Sequence, residues 1–116
     1  MRNSADVSER AELHEEKGNY VEAERLYKKA LVLKSKETGE ESFELVPYLY
    51  NLGMTQFATD KHDDALTSFN RLLNLLTLQQ AEISSEIKEV RYLISEVYRE
   101  QDEEAMPISV SASLMS

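Results

Sequence analysis

Residues 18–53 read GNYVEAERLYKKALVLKSKETGEESFELVPYLYNLG, and half of this stretch returns further along the chain. Ala23, Tyr27 and Ala30 stand at helical spacing, and Ala65, Phe69 and Leu72 repeat them at a lag of 42 positions (65 − 23, 69 − 27 and 72 − 30). Tyr20 and His62 keep the same lag, as do Leu31 and Leu73. A fixed period of roughly 20–50 residues marks a repeat architecture, because each unit buries its apolar face only by stacking on its neighbours. The stretch therefore predicts a duplicated helical hairpin.

Within it, Gly18 suits the left-handed position that ends a helix, and Asn19 is the expected cap of the next, with Glu22 returning a hydrogen bond to it. That helix is expected from Tyr20 to about Lys36, with Tyr20, Ala23, Tyr27, Ala30 and Leu31 buried. Thr38 to Glu41 reads as a loop around Gly39. Ser42 is a plausible cap, and Pro47 falls in a first turn, where a missing N–H is tolerated. From Tyr48 to Thr59 the chain is apolar on nearly every side, which predicts a helix packed on several faces.

Upstream, Val7, Ala11 and His14 form one weak stripe ending at Lys17, the poorest helix of the chain. Downstream, Asp60 to Asp63 reads as a turn with Asp60 or Lys61 near the cap. A fourth helix follows, from about Asp63 to Gln80, with Ala65, Phe69, Leu72, Leu73 and Leu76 inward. Ala81 to Ile83 marks a break with neither Gly nor Pro, and Ser84 or Ser85 is the expected cap of a fifth helix. That helix carries Ile87, Val90, Ile94, Val97 and Tyr98 on one stripe and ends in an acidic run, Gln101 to Glu104. The expected division is a helical domain over 1–104 and a tail over 105–116, uncharged and rich in Ser, disordered or loosely docked.

Composition narrows the function. The 13 Lys and Arg against 22 Asp and Glu leave a net charge of −9, which argues against nucleic acid or an anionic membrane as partner. A basic or neutral protein partner is easier to accommodate, although surplus Glu also serves simply to keep a helical protein in solution. There is no cysteine, so disulfides and thiolate metal sites are excluded. No apolar run approaches the roughly 18 residues of a membrane span, and the N-terminus lacks the apolar centre of a signal peptide, so the cytosol is the expected compartment. Three Gly and two Pro leave little material for hairpins, and the fold expected is all-α.

The residues quoted resemble tetratricopeptide repeats. Gly18, Tyr20, Ala23, Tyr27 and Ala30 match the second half of that signature, and Leu49, Leu52, Gly53, Ala65, Phe69 and Leu72 match a second copy. The long period, with a Gly in the connecting loop, is similar to the variant found in kinesin light chains. The resemblance covers about residues 5–104 and implies an antiparallel helix-pair solenoid: two pairs and a C-terminal capping helix, five helices in all. It departs at Arg10 and His14 in the first helix, at Gln56 and at His62, all of which suggest looser packing.

What the resemblance implies is a peptide-binding adaptor whose groove is lined by the first helix of each pair. Transferred by position, the groove residues are Ser8, Glu12, Glu15 and Glu16, then Tyr50, Asn51, Met54 and Phe57, then Glu89, Tyr92, Leu93, Glu96 and Arg99. Tyr50, Met54, Phe57 and Tyr92 would receive apolar partner side chains. Asn51 would bond a peptide backbone, and Glu12, Glu96 and Arg99 would form a charged rim. The cations with which chaperone-binding members clamp a C-terminal carboxylate are absent. Against this stands the plainer reading that Tyr50, Met54 and Phe57 are buried between helices and the acidic residues are a solvated face. Self-association through exposed terminal helices is the alternative function. His14 and His62 lie on separate helices, no cluster shows metal spacing, and no nucleophile–base pair or phosphate loop appears, so no catalysis, metal or cofactor is expected.

Overall fold

The computed structural model describes residues 3–78 and 85–105. These form five α-helices, α1 (Ser4–Glu16), α2 (Tyr20–Thr38), α3 (Val46–Ala58), α4 (His62–Leu78) and α5 (Ser85–Ala105), with a 3-10 turn over Phe43–Leu45 leading into α3. No strand occurs among the described residues. Each helix packs on the next, α1 with α2, α2 with α3, α3 with α4 and α4 with α5, which makes an all-α helix-pair repeat. The break expected around Ala81–Ile83 and the tail beyond Ala105 lie outside the described residues.

The two hairpins are built alike down to their turns. After α1, Gly18 sits at φ 80°, the Gly18 N–H donates to the Glu15 carbonyl (2.9 Å) and the Asn19 N–H to that of His14 (2.8 Å). After α3, Asp60 takes the left-handed position at φ 62°, its N–H donates to Phe57 (3.2 Å) and that of Lys61 to Gln56 (2.9 Å). Both are Schellman endings, which satisfy carbonyls that a helix otherwise leaves without partners. Asn3 caps α1, its side chain accepting from the Asp6 N–H at 2.9 Å. Asn19 makes no such side-chain bond, contrary to expectation, and Glu22 returns none to the Asn19 N–H, which is committed to the preceding turn while Glu22 pairs with Arg25.

The core follows the repeated series. Ala23, Tyr27 and Ala30 on α2 and Ala65, Phe69 and Leu72 on α4 are fully buried, with Ala11 and Gly53 facing them from α1 and α3. A Cβ on Gly53 would lie 2.6 Å from the Phe69 ring, so this helix pair approaches through the missing side chain. Burial of each large side chain stabilises the fold by about 1.5–3 kcal/mol before entropy is counted. Tyr20, expected inside, is 39% exposed. His62, at the same place in the second hairpin, is buried and faces Glu100 of α5.

The seam of α5 is Ile87, Val90, Leu93 and Val97, not the stripe expected through Ile94 and Tyr98. Tyr98 lies about 100° round the helix from Val97 and is 53% exposed, while Ile94 is half-buried. Leu75 is buried beside Leu76 on α4, and Leu73 only half so, because α5 covers that side.

Two polar clusters hold the layers in register. Glu15 of α1 accepts from the Tyr27 hydroxyl (3.1 Å) and from Thr55 Oγ1 (2.9 Å), joining α1, α2 and α3. Burial, and then the nearby Glu15 carboxylate, push ionisation of Tyr27 far above the usual tyrosine range. Glu24, only 4% exposed, accepts from Lys61 Nζ (2.7 Å) and Gln56 Nε2 (3.1 Å) and pairs with Lys28 (3.2 Å). Gln56 Oε1 in turn accepts from Ser68 Oγ at 2.7 Å. Gln56 is thus the centre of a satisfied buried network, and not the sign of loose packing that its polarity suggests.

Candidate functional site

The first helices of the hairpins, α1 and α3, lie side by side with α5, and side-chain bonds tie them across: Tyr48 to Ser4 (3.3 Å), Thr55 to Glu15, and Tyr50 to Glu89 (3.2 Å). Among the described residues two hollows lie between them. The first, about 490 Å³, lies between α1 and α3 and is lined by Ala5, Ser8, Glu9, Glu12, Pro47, Tyr48 and Asn51. The second, about 260 Å³, lies between α3 and α5. Val46, Pro47, Tyr50, Leu72, Leu76 and Val90 give it an apolar floor and walls, with Asn51, Glu86 and Glu89 completing the lining. Pro47 and Asn51 belong to both, so the two are neighbours across a ridge on α3.

Asn51 is held there by helix geometry. Its carbonyl lies 2.9 Å from Thr55 Oγ1, whose one proton it shares with Glu15, while its side-chain amide makes no hydrogen bond among the described residues. A half-buried amide with donors and acceptors to spare is the group that can bond an extended backbone laid over it. Tyr50 stands one residue away, its ring in the second hollow and its hydroxyl donating to Glu89 Oε1. Burial first, and then the Glu89 charge, raise its ionisation above the ordinary tyrosine value.

Of the eight residues the sequence singled out, Glu12, Asn51 and Tyr50 line these hollows, and Met54, Phe57, Tyr92, Glu96 and Arg99 line neither. Met54 and Phe57 are half-buried against the core. Tyr92 is 61% exposed on α5. Arg99 bonds Glu96 at 2.5 Å on the same helix, and this contact holds the Glu96 carboxyl below its usual range. Leu93, placed in the groove by position, belongs to the core seam, and Glu15 is spent on Tyr27 and Thr55. The sequence missed Glu9 and Glu86, although each stands three residues before a carboxylate that it did name or transfer, Glu12 and Glu89, and so shares its face.

The sequence shows no His, Asp or Glu cluster at metal spacing, but the fold gathers three such residues from two distant stretches. The turn before α4 and the end of α5 bring Asp60, His62 and Glu100 together with ligand atoms within 4.8 Å of one another. His62 Nε2 lies 3.6 Å from Glu100 Oε1, an ion pair when the imidazole is protonated. Asp60 is exposed on the outer edge of the turn.

Helical hairpins stacked side by side in this way define a helix-pair repeat scaffold. The tetratricopeptide repeat family model matches residues 3–77, and the chain belongs to that family. Its long period is consistent with the kinesin light chain-like variant. Family members generally mediate protein–protein interactions and are typically not enzymes. No curated protein matches the chain.

Proposed function

We propose that this protein is an adaptor that binds a peptide or protein segment across α1, α3 and α5, in the cytosol. The single observation that carries the reading is Asn51: a side-chain amide with no bond inside the described molecule, on the ridge between two adjoining hollows. Apolar partner side chains would be buried in the second hollow against Tyr50, while the acidic rims set charge preference. Substituting Asn51→Ala is expected to weaken partner capture by about tenfold, the effect of a lost hydrogen bond to a partner in a desolvated site, with melting unchanged. Equal losses of binding and stability would show that the residue serves the core instead.

A second reading, self-association, is favoured by one observation. Arg91, Ile94, Ser95 and Tyr98 of α5 stand 42 positions after Leu49, Leu52, Gly53 and Gln56, the face by which α3 grips α4, yet Tyr98 is 53% exposed. Light-scattering mass measured from low to high micromolar concentration tests it, and a monomer throughout removes it.

A further inference from the structure

We infer that the segment bound across α1, α3 and α5 is a basic one: an extended peptide that places a Lys or Arg in the hollow between α1 and α3 and a bulky apolar side chain, about three residues away, in the hollow between α3 and α5. This rests on the groove reading above and adds the partner's chemistry to it. The first hollow carries two exposed carboxylates, Glu9 and Glu12, with Ser8, Tyr48 and Asn51 as further oxygen and amide groups. Among the described residues no Lys or Arg lines either hollow. Two carboxylates less than one helical turn apart, without a countercharge in the lining, favour a cation arriving from outside. A partner carboxylate brought to the same place would meet like charge.

The second hollow differs in kind. Its floor is Leu72, Leu76 and Val90, which already touch the core, so an apolar side chain seated there extends that core outward. Glu86 and Glu89 stand at its edge, and Glu89 also accepts from the Tyr50 hydroxyl, which keeps one carboxylate oxygen fixed. The backbone next to the anchor therefore also runs past negative charge. A peptide with acidic residues flanking its apolar anchor is disfavoured here too.

The spacing follows from the helix layer. Neighbouring helices pack with axes about 8–10 Å apart, and the hollows occupy successive gaps on either side of α3. An extended chain of the polyproline-II type advances about 3.1 Å per residue and returns every third side chain to the same face, so one gap-to-gap step takes about three residues. Asn51, shared by both hollows, then lies under the backbone between the two anchoring side chains.

The test is selection of random 12-residue peptides by display on the full chain, at low and at physiological salt. The expected result is enrichment of peptides with Lys or Arg two to four residues from Leu, Ile, Met, Phe or Trp. A selected peptide remade with Glu at its basic position, or Ser at its apolar one, should bind at least tenfold more weakly. The exposed double variant Glu9→Gln/Glu12→Gln should lose about fivefold and much of the salt dependence, while its circular dichroism and melting stay as in the parent. If the enriched peptides are acidic or lack the paired positions, yet lose binding to Asn51→Ala, the groove reading stands and the inference is overturned. If peptides are not enriched at all, or bind Asn51→Ala as well as the parent, both are overturned.

Discussion

At Glu24 the sequence offers what looks like half of an ordinary surface pair with Lys28, one helical turn away, and the fold turns it into an interior anchor for Lys61 and Gln56. Desolvation alone would raise its pKa, but the bonds from Lys61, Gln56 and Lys28 outweigh it and the carboxyl titrates below its usual value. A carboxyl whose folded pKa is depressed contributes its stability in full above the unfolded pKa of about 4.3, and loses it as pH falls from there through the folded value. Replacing Glu24→Gln should therefore cost about 1–3 kcal/mol at neutral pH, because the buried Gln56 amide loses a charged acceptor. Urea midpoints measured from pH 7 to pH 3 should show that difference shrinking toward zero at the acid end. Asp60 offers the opposite case. It holds a left-handed conformation that Gly18 occupies without strain in the first hairpin. Asp60→Gly should raise stability by about 0.5–1 kcal/mol, seen as a melting point higher by a few degrees.

Among elements, α3 carries most of the architecture and most of the candidate site. Its Gly53 admits the Phe69 ring, and Gly53→Ala would place a methyl carbon 2.6 Å from a ring atom. The better helix propensity of Ala returns about 1 kcal/mol, yet forcing α3 and α4 apart costs about 1–3 kcal/mol, so a modest net loss in denaturant midpoint is expected. In Gly53→Ala/Phe69→Leu, which makes room for the added methyl, the two losses should be less than additive. The 42-residue echo made the fold legible, because Ala, Tyr or Phe, and Ala or Leu at fixed places leave few ways to pack two hairpins. What could not be read was which outward positions a neighbouring helix would cover. Tyr20 and His62 are equivalent in the repeat but not in burial, since only His62 has α5 beside it. The same limit blurred the site. Asn51 and Tyr50 were named because the family's groove positions fall on them, just ahead of Leu52 and Gly53, whereas Glu9 and Glu86 belong to hollows that exist only once two helices lie side by side.

For the molecule as a whole, stability is expected to behave as a sum of neighbouring contacts, as in other stacked repeats. Ile87, Val90, Leu93 and Val97 of α5 are buried among the described residues, and a chain ending at Leu78 would forgo all four. At about 1.5–3 kcal/mol each before the entropy of ordering α5 is returned, their loss is large against a total of about 5–15 kcal/mol. The truncated chain should melt at least about 10 °C below the full one, with a broader transition. An unchanged midpoint would mean that α5 stands apart from the cooperative unit.

The outer stripe of α5 has a further consequence. Ser95 offers a small residue where α3 has Gly53, and Ile94 a branched one where α3 has Leu52, while Arg91 and Tyr98 replace Leu49 and Gln56, so α5 repeats part of the profile by which α3 docks on α4. Its continuation does not follow suit: Pro107 and Ser111 fall where Ala65 and Phe69 would recur. Length is thereby a free parameter of this design. A spliced copy of residues 62–78, joined behind α5 by the natural turn, would find half of its berth already cut, with Arg91→Leu and Tyr98→Gln to complete it.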